Sequence, residues 1–185
     1  MRRGANARGR RTIAAIERAA LDAAEALPWE RVTVAEICRR AGVSERVFFN
    51  HFPTREDAFL GVDQPTVDEE EAERYVADAD IPLLTGAARL VRLPQVDEEM
   101  RRRRSALTAA HGELLARAYG ALVPVRERCR AIVADAIGTR DPAFRPEERR
   151  ILAAVIVGAA SELLDPAANI ATARVALLRL RNQLH

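Results

Sequence analysis

The stretch TVAEICRRAGVSERVFFNHFPTREDAF, Thr33 to Phe59, decides how this chain is read. Val34, Ile37, Cys38 and Ala41 recur at i, i+3, i+4 and i+7, the apolar stripe of a half-buried helix. Thr33 and Glu36 stand in the S/T-x-x-E spacing of a capping box, which predicts where that helix begins. Gly42 supplies the conformation on which a helix stops abruptly. Ser44 then predicts the cap of a second helix through its hydroxyl. Thr54, just after Pro53, caps a third, with Glu56 and Asp57 in the first turn where the helix dipole favours acids. Helix, tight Ala-Gly-Val turn, helix is the geometry that places a second helix in the major groove of DNA.

Outward from this stretch, the bulk composition agrees. A chain of 185 residues is one large domain or two small ones. About half its residues are apolar, alanine and leucine dominate, and aromatics are only 4%, which predicts an all-α protein. Net charge is +2, so the whole chain is no polycation, and all 29 basic residues are arginine. Placement matters more. Residues 1 to 11 hold Arg2, Arg3, Arg8, Arg10 and Arg11 with no acid, and residues 1 to 60 hold eleven basic against eight acidic groups. A basic arm ahead of a DNA-reading unit adds salt-sensitive phosphate attraction; an ordinary disordered terminus reads the same way, and both stay open. Cys38 and Cys129 form no CxxC pair or Cys/His cluster, so no metal site is expected and Cys38 reads as a small hydrophobe on its stripe. With no leader pattern and no apolar run near twenty residues, the expected location is the cytosol, away from membranes.

The domain reading is 1–60 for a helix-turn-helix head with a basic N-terminal arm, and 61–185 for a helical body. A first helix is predicted from Arg11 to Leu27 on Ile13, Ile16, Ala20, Ala23 and Leu27, stopped by Pro28, with Trp29 plugging the small core. The composition shifts at Gly61 to Asp80, where Pro65 and the acidic run Asp68 to Glu71 read as a hinge and a solvated helix face. Further helices are predicted at 82–92, 95–109, 112–138, 146–164 and 168–183, and Pro124 should kink or split the long one. Ile151 to Ala160, ILAAVIVGAA, is apolar on every side, which predicts burial all round. In so small a domain a second copy of the chain covers it most simply. The helices at 146–164 and 168–183 are therefore expected to form a four-helix homodimer interface, against a competing reading in which both fold into a monomeric core.

The motif as a whole resembles the DNA-binding signature of the TetR family of transcriptional regulators. The matches are Thr-Val-x-x-Ile from Thr33, Ala-Gly-Val-Ser from Ala41, Phe48-Phe49, His51-Phe52-Pro53 and Thr54-Arg55-Glu56-Asp57, in order and without gaps. The resemblance covers roughly residues 10 to 60. It implies an all-helical homodimer, each subunit with a three-helix head and a larger body for dimerisation and effector binding. Such a dimer sits on a palindromic, double-stranded operator, usually as a repressor, until a small-molecule effector releases it. The FFNHFPTRED wording is similar to a subset of the family associated with acyl thioester-like ligands.

By chemistry and by match, the expected DNA contacts are Thr33, Ser44, Glu45, Arg46, Phe49, Asn50, His51 and Arg55. Thr33 and the free N–H groups behind it can face a phosphate. Arg46 can bind guanine O6 and N7, Glu45 can accept from cytosine N4, and Asn50 can pair with adenine or hold a phosphate. A surface salt bridge is the plainer reading of Glu45 and Arg46. His51 matches a position near the sugar-phosphate backbone, or else packs against Phe48 and Phe52. Arg55 matches a phosphate contact beside the next helix. Phe49 and Val47 depart from the pattern, where tyrosine and threonine are common, and each removes a polar contact.

For the effector, Arg89, Arg92, Arg101 to Arg104, His111 and Tyr119 are candidates. The arginine run circles its helix and reads better as a salt-bridged surface with Asp97 to Glu99. His111 reads as structural at a helix boundary, and a mostly aliphatic body suits an apolar effector. Catalysis is not expected: His51, His111 and His185 are widely spaced, and no nucleophile motif, metal signature or phosphate loop is present. No cofactor is expected. The rivals left are an activator or constitutive DNA binder of the same fold, and a helical small-molecule-binding protein with a weakened head.

Overall fold

In the computed structural model, residues 7–163 are described. Among them are nine α-helices, one short 3₁₀ turn and two two-residue strands, so the chain is all-α as its composition predicts. Contacts divide it into two compact units: residues up to Gln64 with Pro94–Ala121, and Pro65–Leu93 with residues from Leu122 onward.

In the first unit, α1 (Ala7–Ala26) starts before the predicted Arg11, so Arg8, Arg10 and Arg11 lie on a helix rather than on an arm. Ile16, Ala19, Ala20, Leu21 and Ala23 form its buried face. A 3₁₀ turn (Trp29–Arg31) leads to α2 (Val34–Ala41), α3 (Glu45–Phe49) and α4 (Arg55–Leu60). Each predicted cap is in place. The Thr33 hydroxyl accepts from Glu36 N, the Ser44 hydroxyl from Val47 N, and the Thr54 hydroxyl from Asp57 N. Gly42 closes α2 at φ 67°, the left-handed region where a side chain is strained. The box at Thr33 is only half formed: the Glu36 carboxylate turns to Arg39 (2.7 Å) and Arg40 (2.7 Å), and Thr33 N–H donates to Arg31 O (3.1 Å). At Thr54 both halves are present, with Asp57 supplying the acid.

Phe48, Phe52, Phe59, Ile37 and Val32 fill the core, and Trp29 is half-buried against it, its ring 5.1 Å from that of Phe59. This unit does not end at residue 60. Helix α7 (Glu98–Ala110) packs on α1, and Leu114, from the first turn of α8 (Gly112–Arg140), is fully buried in the same core. The arginine run splits its tasks. Arg101 and Arg102 pair with Glu98 on their own helix, whereas Arg103 reaches Asp22 (2.6 Å) and Glu25 (2.6 Å), and Arg104 reaches Glu17 (2.8 Å), all on α1.

The second unit holds α5 (Glu69–Ala77), α6 (Leu83–Arg89), the rest of α8 and α9 (Pro146–Leu163). Asp68 caps α5, with Glu69, Glu70 and Glu71 in its first turn, so the acidic run serves a helix N-terminus. The helix predicted over 82–92 stops at Arg89. Val91 and Arg92 instead pair antiparallel with Val67 and Thr66, and Asp68 N–H donates to Leu90 O (2.8 Å). Tyr75, Leu90, Val133, Ala136 and Ala153 are the centre of this core. Pro124 does not split α8. Pro124 and Gly120 are both exposed, so the Gly120 carbonyl that loses its usual donor can turn to water.

Among the described residues of one chain α9 is buried on one side only, so burial all round would need the second copy that the sequence reading invokes. Ala153, Val157 and Ala160 are buried against this unit's core, but Ile151 is 66% exposed and Val155 62% exposed. One face packs on α6 and α8, and the opposite face carries branched aliphatics into solvent. The predicted helix at 168–183 lies outside the described residues.

Candidate nucleic-acid interface

The head's own packing decides which side chains are free to meet a partner. Phe48 is fully buried and takes the inward side of α3, so Ser44, Glu45, Arg46, Phe49 and Asn50 are left outside, all exposed. Capping by Ser44 leaves its backbone carbonyl and the N-terminal turn in place while Glu45 and Arg46 project from it. Neither of those two makes an ion pair among the described residues, so the plainer salt-bridge reading of Glu45 and Arg46 finds no support there. Phe49 stands edge-on to Phe48 (ring centroids 5.4 Å apart, 84° between planes) and is 53% exposed. An aromatic held this way offers an apolar edge of the kind that contacts thymine methyl groups.

Thr33, also exposed, heads α2 beside a shallow groove of about 400 Å³ that includes Arg31, Ala35 and Arg39. Two guanidinium groups beside the first-turn N–H groups that the Thr33 cap does not take suit a phosphate, with Glu36 also on the groove. Sequence reasoning missed Arg31 and Arg39. Their signal was available: both flank the predicted cap, two before and six after it. Arg39 is shared with Glu36, whose carboxyl is held down at about 2 by hydrogen bonds from Arg39 and then Arg40.

His51 is half-buried and follows α3 directly; its N–H donates to Phe48 O (2.9 Å). Its ring is not stacked on Phe48 or Phe52; those two rings meet at a tilt of 39°, with centroids 5.6 Å apart. Arg55 is placed differently from the outward phosphate contact its match implies. Its Nη1 donates to Val32 O (2.7 Å) and Trp29 O (3.3 Å), its Nε pairs with Glu56 (2.8 Å), and its guanidinium lies 4.5 Å from the Trp29 ring centre. Trp29 O also accepts the Val32 N–H (3.2 Å) that closes the 3₁₀ turn, and the arginine adds a second donor there while answering Val32 O just beyond it. Trp29 is gripped further by His111, stacked at 4.0 Å, and by Glu113, which accepts from its Nε1 at 2.6 Å. His111 is thus structural, as its place at a helix boundary suggests.

The remaining effector candidates are dispersed. Arg92 pairs with Asp68 at 2.5 Å, Arg103 and Arg104 clamp α1, and Tyr119 is 57% exposed. No group of His, Cys, Asp and Glu among the described residues could hold a metal ion. No helix among them is long and apolar enough to cross a membrane.

What the head offers is a set of exposed polar, cationic and aromatic side chains on one short helix, positioned by a buried phenylalanine and preceded by a capped helix with flanking arginines. Comparison with curated proteins finds no match. Residues 16–62 match the family described as bacterial regulatory proteins, tetR family, and the matched domain is that family's helix-turn-helix DNA-binding domain. The match runs from the buried face of α1 to just past α4, the helices described above. Residues 16–62 thus carry a helix-turn-helix DNA-binding domain of the kind that defines the tetR family of bacterial regulatory proteins.

Proposed function

We propose that the chain is a repressor that binds a palindromic operator as a homodimer and is released by a small, largely apolar effector, acting in the cytoplasm. The observation that carries the reading is the outward set Ser44, Glu45, Arg46, Phe49 and Asn50 on a helix whose inner face is locked by Phe48. Arg46 and Glu45 read base edges at the start of that helix, Asn50 reads a base or a phosphate, and Phe49 supplies apolar contact. Thr33 with Arg31 and Arg39 holds one phosphate strand, and His51 a second stretch of backbone. Arg55 acts through the head's packing, as a positioning residue, rather than on phosphate. Arg8, Arg10 and Arg11 continue the basic surface on the first turns of α1 and add salt-sensitive attraction.

Pairing of the subunits falls to α9 and the segment at 168–183. The exposed aliphatic face of Ile151, Leu152 and Val155, with Gly158 open beside it, supports this: a monomer gains nothing from leaving such a face wet. A mobility-shift titration on DNA from upstream of the chain's own coding region tests the reading. A retarded band whose affinity falls steeply with salt, and which competes with unlabelled operator but not with bulk DNA, is expected. Equal competition by bulk DNA would remove the sequence-specific part, and light scattering that gives the mass of one chain at micromolar concentration would remove the dimer.

A further inference from the structure

Beside the exposed helix lies a cleft of about 580 Å³, built wholly within the first unit. Its floor is the segment that leaves α3, from His51 through Pro53; its sides are α4 with the residues after it, and one turn of α8. Phe52, Pro53, Leu60, Val62 and Ala121 make most of the wall apolar. The volume suits a small organic ligand, and the mix of apolar wall with few polar groups is that of a ligand site.

The polar groups narrow the choice. The backbone donors at this edge are occupied: Gly61 N–H donates to Asp57 O (2.8 Å) and Val62 N–H to Glu17 (3.0 Å). The Gln64 amide donates to Gly61 O (2.9 Å). Arg117 is different. Its Nε (2.9 Å) and Nη2 (2.8 Å) both meet Asp57 Oδ1, and no bond to Nη1 is among those described. The other carboxylate oxygen, Oδ2, is held by Thr54 N–H (3.1 Å) and the Thr54 hydroxyl (2.8 Å). Asp57 therefore keeps partners if Arg117 turns partly away. One guanidinium with donors to spare, no cradle of free N–H groups and an apolar wall suit a singly charged acid with a hydrocarbon tail better than a phosphate.

A third feature keeps the cleft open. Gly120 lines it from the middle of α8, and a Cβ built there meets nothing within 4 Å. Packing within the chain does not demand glycine at this point, yet any side chain would project into the cleft.

We infer that this cleft binds a small monocarboxylate with an apolar tail, its headgroup on Arg117 and its tail along Leu60, Val62 and Pro53. The inference rests on the reading of the chain as an effector-released DNA-binding regulator. Drawing Arg117 from Asp57 loosens the tie between α8 and the cap of α4, and the tail touches His51 and Phe52 where the DNA-facing helix ends. Occupancy thus bears directly on how that helix is held, and lowers operator affinity.

The experiment uses the full chain, with sodium decanoate as the probe and decanol as its uncharged match, in calorimetric titrations without DNA. Saturable binding of one decanoate per chain is expected. Arg117→Gln should weaken decanoate by about tenfold or more, the scale of one charge-assisted contact, and leave decanol unchanged. Gly120→Phe fills the cleft from an open position, one helical turn from Arg117, and should abolish binding of decanoate and decanol alike in a folded protein. Absence of wild-type binding up to about 1 mM, or undiminished binding by Gly120→Phe, would overturn the site. A mobility-shift arm separates the two readings. Decanoate binding by a chain that shifts no DNA would overturn the regulator reading and leave the cleft standing, whereas DNA binding without decanoate binding would overturn the cleft alone.

Discussion

The two units solve the same problem, covering helices of few aromatics, with different materials. The first concentrates nearly all the large rings, Phe48, Phe52, Phe59 and Trp29, under three short helices, then binds α7 to α1 by charge: Arg103 on Asp22 and Glu25, Arg104 on Glu17. The second packs alanine, valine and isoleucine around one tyrosine; Arg128 pairs with Glu69 and Arg92 with Asp68 on its surface, but Arg140 neutralises no acid among the described residues. Its Nη2 donates to the carbonyls of Tyr75 (3.1 Å), Asp78 (2.9 Å) and Ile81 (3.0 Å), closing the turn after α5. Short helices cannot stand by propensity, so the DNA-reading unit needs large buried side chains per turn and charged clasps from outside. The longer helices of the second unit spread the task over many small contacts.

That contrast is broken most directly at Phe48. It is fully buried and it alone orients the five-residue helix α3, so Phe48→Ala should cost about 3–5 kcal/mol, enough to unfold the head of a marginal domain. Loss of operator binding together with a lowered unfolding midpoint is expected; an unchanged midpoint would mean that α3 is held by something other than this ring. Arg104 comes next. Side chains of Arg104 and Glu17 are only 12% and 13% exposed, and the guanidinium lies over Gly61, where a Cβ would come within 2.6 Å of it. The contact is one of charge rather than of aligned hydrogen bonds, since Arg104 Nε and Nη2 are buried without such a partner. Arg104→Ala strands the Glu17 carboxylate and should cost about 3 kcal/mol, while the double change Arg104→Met with Glu17→Gln should recover much of it. Urea denaturation of the three proteins measures this; equal losses for single and double variants would deny the pair any coupling.

Legibility in the sequence follows the range of the interactions. Caps at Thr33, Ser44 and Thr54 and the stop at Gly42 act within four residues, so the three short helices could be placed from local spacing alone. Glu45, Arg46 and Asn50 were picked by chemistry and by the motif; that they face outward is settled by the burial of Phe48, which local spacing did not mark as the inward residue. Arg55 was read outward because a motif states which residue recurs, not which carbonyls nearby can take a further donor. Trp29 O and Val32 O lie in and just after a 3₁₀ turn more than twenty residues earlier. The join of α7 to the first unit was hidden for the same reason: Arg103 and Asp22 are 81 residues apart. ILAAVIVGAA is legible only in part. Its composition has no polar face, and within one chain α6 and α8 cover one side, so what meets the other side is not written in the helix itself.

Operator recognition sharpens the comparison from outside the core. Arg46 is exposed and makes no contact that holds the fold, so Arg46→Ala should leave the unfolding midpoint in place. It should weaken specific binding by about 1–3 kcal/mol and relax preference at one base pair. Arg55→Ala should do the reverse, lowering the midpoint first and weakening all sequences alike, because its guanidinium is committed to Val32 O, Trp29 O and the Trp29 ring. Binding to a panel of single-base operator variants, beside thermal melts, separates the two. Loss of base preference in Arg55→Ala with an intact midpoint would return that residue to the interface.

The smallest effect is electrostatic and belongs to the first unit alone. Hydrogen bonds from Arg39 and then Arg40 hold the Glu36 carboxyl at about 2, below its ordinary 4.5. A carboxyl whose folded value lies below its unfolded one binds a proton more readily in the unfolded chain. Its contribution is therefore complete above about pH 4.5 and is lost as the pH falls toward 2. Glu36 lies near the surface, where water and salt screen the pair, so the change is modest. Following the unfolding midpoint from pH 6 to about pH 3 should show a shallower fall for Glu36→Gln than for the wild-type chain, with the gap narrowing in high salt. Parallel curves would mean that Arg39 and Arg40 are as free in the folded head as in the unfolded chain. Arg39 would then be available to phosphate without first leaving a partner, which would raise rather than lower its expected share in DNA binding.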